Sequence, residues 1–78
     1  MRSFRVYVKN EGESEIELPE IGGYSLQPDE EIEMTASGRY GQDYQAVMRA
    51  LTELTGTVLY QQREAGTLSY RIEPRLGD

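Results

Sequence analysis

Gln42-Asp43-Tyr44-Gln45-Ala46-Val47-Met48-Arg49-Ala50-Leu51-Thr52-Glu53-Leu54 is the stretch whose reading decides the fold. Tyr44, Val47, Met48, Leu51 and Leu54 lie along one stripe of an α-helix, and Arg49, Thr52 and Glu53 occupy its other side. Gln42 or Asp43 can open the helix, Asp43 being the better N-cap, and Gly56 stands where a left-handed C-terminal glycine is expected.

On both sides of this stretch the period changes from 3.6 to two. Phe4, Val6 and Val8 alternate with Arg5, Tyr7 and Lys9, a strand from about Ser3 to Lys9 with one face buried. Asn10-Glu11-Gly12-Glu13 tolerates left-handed backbone angles, and Glu15-Ile16-Glu17-Leu18 resumes the alternation, so a hairpin is expected, ended by Pro19. Gly22-Gly23 marks a tight bend. A short strand carrying Tyr24 and Leu26 follows, then Pro28-Asp29 at the centre of a type I turn, then a strand carrying Ile32 and Met34. After the helix, Thr57 to Arg63 and Thr67 to Glu73 read as a second hairpin across Glu64-Ala65-Gly66, ended by Pro74.

The expected fold is therefore α+β: a small antiparallel β-sandwich or partly open barrel of about six short strands with one helix, in the order ββββαββ. It forms one domain over residues 1–78, with residues 1–3 and 75–78 as loose tails. The stripes assemble a core of Phe4, Val6, Val8, Ile16, Leu18, Leu26, Ile32, Met34, Val47, Met48, Leu51, Leu54, Val58, Tyr60, Leu68, Tyr70 and Ile72.

A chain of 78 residues with 37% hydrophobic composition has a thin core, and without cysteine or histidine neither a disulfide nor a zinc site reinforces it. Oligomerisation or docking on a partner is the remaining common reinforcement. The missing His and Cys also remove the commonest general base and the thiol nucleophile, so catalysis is not expected. Glu15 with Glu17 and Glu31 with Glu33 are carboxylate pairs on outer strand faces, with no pocket implied to raise a pKa. Asp29-Glu30-Glu31-Ile32-Glu33 lacks the spaced oxygen ligands and loop glycine of a calcium loop, so no metal or other cofactor is expected. The apolar runs fall short of a bilayer span, and Met1-Arg2-Ser3-Phe4-Arg5 leads into the first strand without reading as a signal peptide.

Net charge is −6, unevenly spread: nine acidic residues and no Lys or Arg lie between Glu11 and Gly38, while the rest of the chain is about +3. Such a chain is not expected to bind nucleic acid, whose phosphates are met largely by clustered Lys and Arg. Partner contact is expected from Tyr7, on the strand face with Arg5 and Lys9; from Arg39 and Tyr40, in the connection before the helix; and from Glu30, Glu31 and Glu33 in the acidic run.

The succession of strand, Asn-Glu-Gly turn, Ile16-Glu17-Leu18-Pro19, and then residues 21–34 ending Leu26-Gln27-Pro28-Asp29-Glu30-Glu31-Ile32 resembles the small β-rich virion proteins of tailed bacteriophages, of head-decoration, neck or tail-adaptor type. The resemblance covers residues 4–34 and implies a non-enzymatic, multi-copy or homo-oligomeric protein of the virion that contacts capsid, neck or tail proteins or copies of itself. The competing expectation from the charge pattern is a small, cytoplasmic acidic module that captures a basic protein surface.

Overall fold

In a computed structural model, residues 4–36 and 43–74 are described. The chain is α+β, and the described residues form five strands, two α-helices and two 3-10 turns. Strand β1 (Phe4–Asn10) is the centre of a three-stranded antiparallel sheet in the order β4-β1-β5, with β4 at Glu31–Glu33 and β5 at Leu68–Pro74. Strands β2 (Ile16–Leu18) and β3 (Tyr24–Leu26) form a separate two-stranded ribbon. Helices α1 (Tyr44–Thr52) and α2 (Val58–Glu64) follow one another before β5.

Two of the expected elements are corrected. The segment from Thr57 to Arg63 is helical, so the described residues hold five strands where about six were expected and two helices where one was. Thr57, Val58 and Tyr60 favour strands locally, but the Thr57 hydroxyl accepts from the Tyr60 N–H at 3.1 Å, an N-cap that starts a helical turn. The Glu20 carboxylate reinforces it from another part of the chain, its Oε1 accepting from Val58 N at 2.7 Å. At the other end Gly66, at φ 81°, donates to Arg63 O and Thr67 N donates to Gln62 O. These two bonds make a Schellman ending, so Glu64-Ala65-Gly66 closes a helix and not a hairpin.

The second correction concerns pairing. Asn10-Glu11-Gly12-Glu13 makes no hairpin: β1 pairs with β4 and β5, and β2 pairs with β3, Ile16 opposite Leu26. The cause is Asn10, which is fully buried. Its side-chain oxygen accepts from Gly12 N (2.8 Å), while its amide donates to Ser14 O (2.8 Å) and Leu26 O (2.9 Å). An Asx-turn thus steers the chain out of the sheet and ties it to the end of β3. The bend at Gly22-Gly23 is present, both residues at positive φ. The turn at Pro28-Asp29 is closed by Glu30 N on Gln27 O at 3.0 Å, but Asp29 has φ 66°, which a type I turn does not contain.

Backbone hydrogen bonding along β1 alternates between its two neighbours. Glu11 N donates to Thr67 O, in line with the β1–β5 register, and Asn10 N donates to Glu30 O, in line with the β1–β4 register. Odd residues of β1 therefore bond to β5 and even residues to β4. Strand β4 ends at Glu33, and the N–H of Val6 is taken over by the buried Thr35 hydroxyl at 3.3 Å, which itself donates to Glu33 Oε2 at 2.6 Å. Thr35→Val keeps the shape and removes that acceptor, leaving a buried N–H unsatisfied. We expect a loss of about 1–3 kcal/mol, together with faster hydrogen exchange at the Val6 amide. Unchanged exchange there would show that the hydroxyl does not hold this bond.

The even residues Val6 and Val8 face the core with Ile16, Leu18, Leu26, Met34, Val47, Ala50, Leu51, Leu59 and Leu68. Phe4 meets Tyr44 of α1 edge-to-face, ring centroids 4.8 Å apart. Asp43 is the N-cap of α1, Oδ1 accepting from Ala46 N at 3.1 Å. The helix ends at Thr52, and Gly56 is not in the left-handed region. Carbonyls near that end are met from α2 instead: the Thr57 hydroxyl lies 2.7 Å from Ala50 O, and Arg63 Nε donates to Leu51 O at 2.6 Å. Leu54 falls beyond the helix and is 43% exposed, so it leaves the expected core. Tyr70 (38%) and Ile72 (46%) leave it too, because β5 buries only its first residue, Leu68.

Candidate interaction surface

The odd residues of β1 put Arg5, Tyr7 and Lys9 on the outer face of the three-stranded sheet. They stand opposite Glu73, Arg71 and Ser69 of β5, and Tyr7 and Lys9 also stand opposite Glu33 and Glu31 of β4. Alternation therefore places three cations and three carboxylates on one face. Arg71 joins its two edges. Its guanidinium lies 4.0 Å from the centroid of the Tyr7 ring and reaches across it to Glu31, with Nε to Oε2 at 3.0 Å and Nη2 to Oε1 at 2.8 Å, while Nη1 bonds Glu73. A planar fork above an aromatic face and bidentate on a carboxylate is a geometry Lys cannot reproduce.

The charges are tuned accordingly. Hydrogen bonds from Arg71, then the field of Arg71 and Lys9, hold the Glu31 carboxyl below its ordinary value of 4.5. Glu30 lies apart, in the turn after β3. The Tyr24 hydroxyl and then the Gln27 N–H (2.8 Å) lower its pKa, and the same bond raises that of Tyr24. Carboxyls depressed in the folded state add stability that is complete above their unfolded pKa and is lost as pH falls through the folded one. The domain should accordingly weaken below pH 4.5, and Glu31→Gln should flatten that acid limb while leaving the alkaline side unchanged. Urea midpoints across pH 2.5–7 check this; an acid limb as steep as in the wild type would refute the Arg71–Glu31 contribution.

Tyr7, Glu31 and Glu33, expected as partner contacts, are thus brought onto one face, but each is engaged within the chain: Tyr7 under Arg71, Glu31 by Arg71, Glu33 by Thr35. Glu30 is separate from them. Arg39 and Tyr40 lie outside the described residues. Among the described residues no group of three or more His, Cys, Asp or Glu side chains is arranged to hold a metal ion, and no helix is long and apolar enough to cross a membrane.

The strand from Thr67 to Glu73 was expected, but not that it lies at a sheet edge with most of its apolar face exposed. Tyr70 and Ile72 lie opposite Val8 and Val6 on the core-facing side of the sheet, so an apolar strip runs without interruption from buried β1 to exposed β5. The signal was present in the alternation of Leu68, Tyr70 and Ile72, which gives the face of a strand but not whether a helix covers it. No family model matches the chain, and no curated protein or solved structure does. The surface has to be read on its own chemistry: a seven-residue strand at the sheet edge, two large apolar side chains on one side of it, and Arg71 with Glu73 on the other.

Proposed function

We propose that this chain is a non-enzymatic protein–protein component that contributes an edge strand to an assembly. The observation that carries the reading is β5, whose outer edge has no strand neighbour among the described residues and whose exposed Tyr70 and Ile72 extend the core face. Long unpaired edges with apolar side chains are usually shortened, charged or covered in proteins that stay single, since they template pairing with another chain. The concrete setting we propose is a tailed-phage particle in which the chain is a decoration, neck or tail-adaptor piece. Support for that setting comes from the pattern of residues 4–34, although Asn10 turns the chain away from the hairpin that the pattern implies.

The test is incorporation. Particles purified from the native source should contain the chain in many copies, co-sedimenting with capsid or tail proteins, and Ile72→Glu, at an exposed position, should remove it while leaving the free protein folded. A chain that never co-sediments and is not required for particle assembly would overturn the virion reading.

A second reading, capture of a basic protein surface, draws on the exposure of Glu11, Glu13 and Glu15, in the connection between β1 and β2, and of Glu17 in β2. Binding through these carboxylates would slow in association as salt rises, with dissociation little changed. Docking through β5 would show a shallow salt dependence.

A further inference from the structure

We infer that a second copy of this chain is the occupant of the β5 edge, paired antiparallel about a two-fold axis at Ile72. The inference rests on the protein–protein reading above and specifies the partner.

Because odd residues of β1 bond to β5, the backbone groups of Ser69, Arg71 and Glu73 are used inside the sheet, and those of Leu68, Tyr70 and Ile72 point to the open edge. The one-to-one register from Phe4–Pro74 to Asn10–Leu68 contains no bulge that would twist this edge away. The other strands at sheet edges, β2, β3 and β4, have three residues each, and β4 is flanked by Glu31 and Glu33, so β5 is the only edge among the described residues with length for a stable ladder.

The side chains then select a register. An antiparallel strand paired with itself must place its axis on an outward-facing or an inward-facing residue, and three positions lie within reach. With the axis on Arg71, two guanidinium groups stand opposite one another. With the axis on Tyr70, Arg71 meets Ser69 of the other copy and Glu73 meets Thr67, leaving both charges without a counterpart across the pair. With the axis on Ile72, Arg71 of each copy faces Glu73 of the other, so opposite charges meet twice. Arg71 already bonds Glu73 of its own chain, and its five N–H donors allow it to hold both.

On the inner side the same register sets Ile72 against Ile72, covering the more exposed of the two apolar side chains. Ile72 exchanges two backbone bonds with its counterpart. Each Tyr70 N–H meets a Pro74 carbonyl, so the ladder ends where proline supplies an acceptor but no donor. Net charge of −6 per chain opposes association at low ionic strength. At about 0.15 M salt the screening length is about 8 Å, which weakens the repulsion between carboxylates separated by more than that.

The chain lacks cysteine, so one introduced thiol is unique. In the Ile72 register the two Ile72 Cα atoms sit about 5.5 Å apart, within disulfide range, whereas two Tyr70 residues are separated by four steps of about 3.4 Å. The experiment is oxidation of purified Ile72→Cys and Tyr70→Cys proteins, with sedimentation of the wild type and Glu73→Arg over a concentration series. Expected are a covalent dimer from Ile72→Cys alone, a wild-type mass rising from 8.9 kDa toward twice that value, and loss of the rise in Glu73→Arg. Glu73→Arg is checked for an unchanged urea midpoint; Glu73→Gln, which removes the charge without reversing it, should give an intermediate loss.

A dimer trapped by Tyr70→Cys and not by Ile72→Cys would overturn the register. A wild type that stays at 8.9 kDa at every concentration, with neither variant cross-linking, would overturn self-pairing. If Ile72→Glu nevertheless abolishes incorporation into particles, the edge serves another protein and the functional reading stands; if it has no effect, both fall.

Discussion

Asn10→Ala should bring the domain close to unfolding, lowering stability by about 3–5 kcal/mol. Asn10 is fully buried, and removing its amide leaves Ser14 O and Leu26 O without donors and Gly12 N without its acceptor. A protein of this size has roughly 4–12 kcal/mol in total, at about 0.05–0.15 kcal/mol per residue. Urea unfolding followed by circular dichroism measures the loss, and a midpoint within experimental error of the wild type would mean that the loop after β1 holds its course by other means. Asn10→Asp makes the cause explicit. It preserves the acceptor for Gly12 and turns a negative oxygen toward two carbonyls, so its folded pKa rises above the unfolded value of about 3.9. A raised folded pKa means stability lost as pH rises through that range, so the deficit of Asn10→Asp against the wild type should narrow as pH falls from 7 toward 4. A deficit independent of pH would contradict burial of that carboxylate.

Leu51→Ala is the second large effect, about 2–5 kcal/mol. Leu51 has no exposed surface and belongs to the one core cluster, on a helix that packs against α2 and β1, so its truncation leaves a cavity in that core. For a domain of 60–100 residues each kcal/mol moves the melting temperature by about 4–8 °C, so a drop of roughly 10 °C or more is expected by calorimetry. Leu54→Ala, one turn further on, serves as the contrast: at 43% exposure it should change the melting temperature little. Equal effects at the two positions would place the helix stripe differently from the structure.

Leu51 and Leu54 also show how far the sequence could be read. Helix α1 was legible because apolar residues recur at helical spacing from Tyr44 to Leu51 and Asp43 caps it, but a stripe does not announce where its last member loses its neighbour. Helix α2 was not legible: seven residues are too few to display a period, and Val58 and Tyr60 speak for a strand until the Thr57 cap and the Glu20 carboxylate, 38 residues away in sequence from Val58, are known. The strand segments were found with their faces correct, since alternation reports the face of a strand. Alternation carries nothing about the neighbour, and the hairpin expected at Asn10 failed because a side chain bonding across 16 residues redirected the chain. The expected contact residues show the same division. Tyr7, Glu31 and Glu33 were placed on strands, but their engagement by Arg71 and Thr35 depends on a register that no local pattern contains.

The pairing of Phe4 with Pro74 has a mechanical meaning. The first described strand and the last run antiparallel side by side, with the beginning of one next to the end of the other, at about 4.5 Å between Cα atoms for a pair of this type. A pull applied at these two points acts across the strands and opens the β1–β5 ladder one bond at a time from that end, as a zipper opens, instead of shearing all its bonds together. The β1–β5 ladder is therefore weak when loaded at Phe4 and Pro74. In an assembly that bears tension, load carried through the faces and edges of the domain avoids this zipper, whereas load applied at Phe4 and Pro74 meets its bonds one at a time.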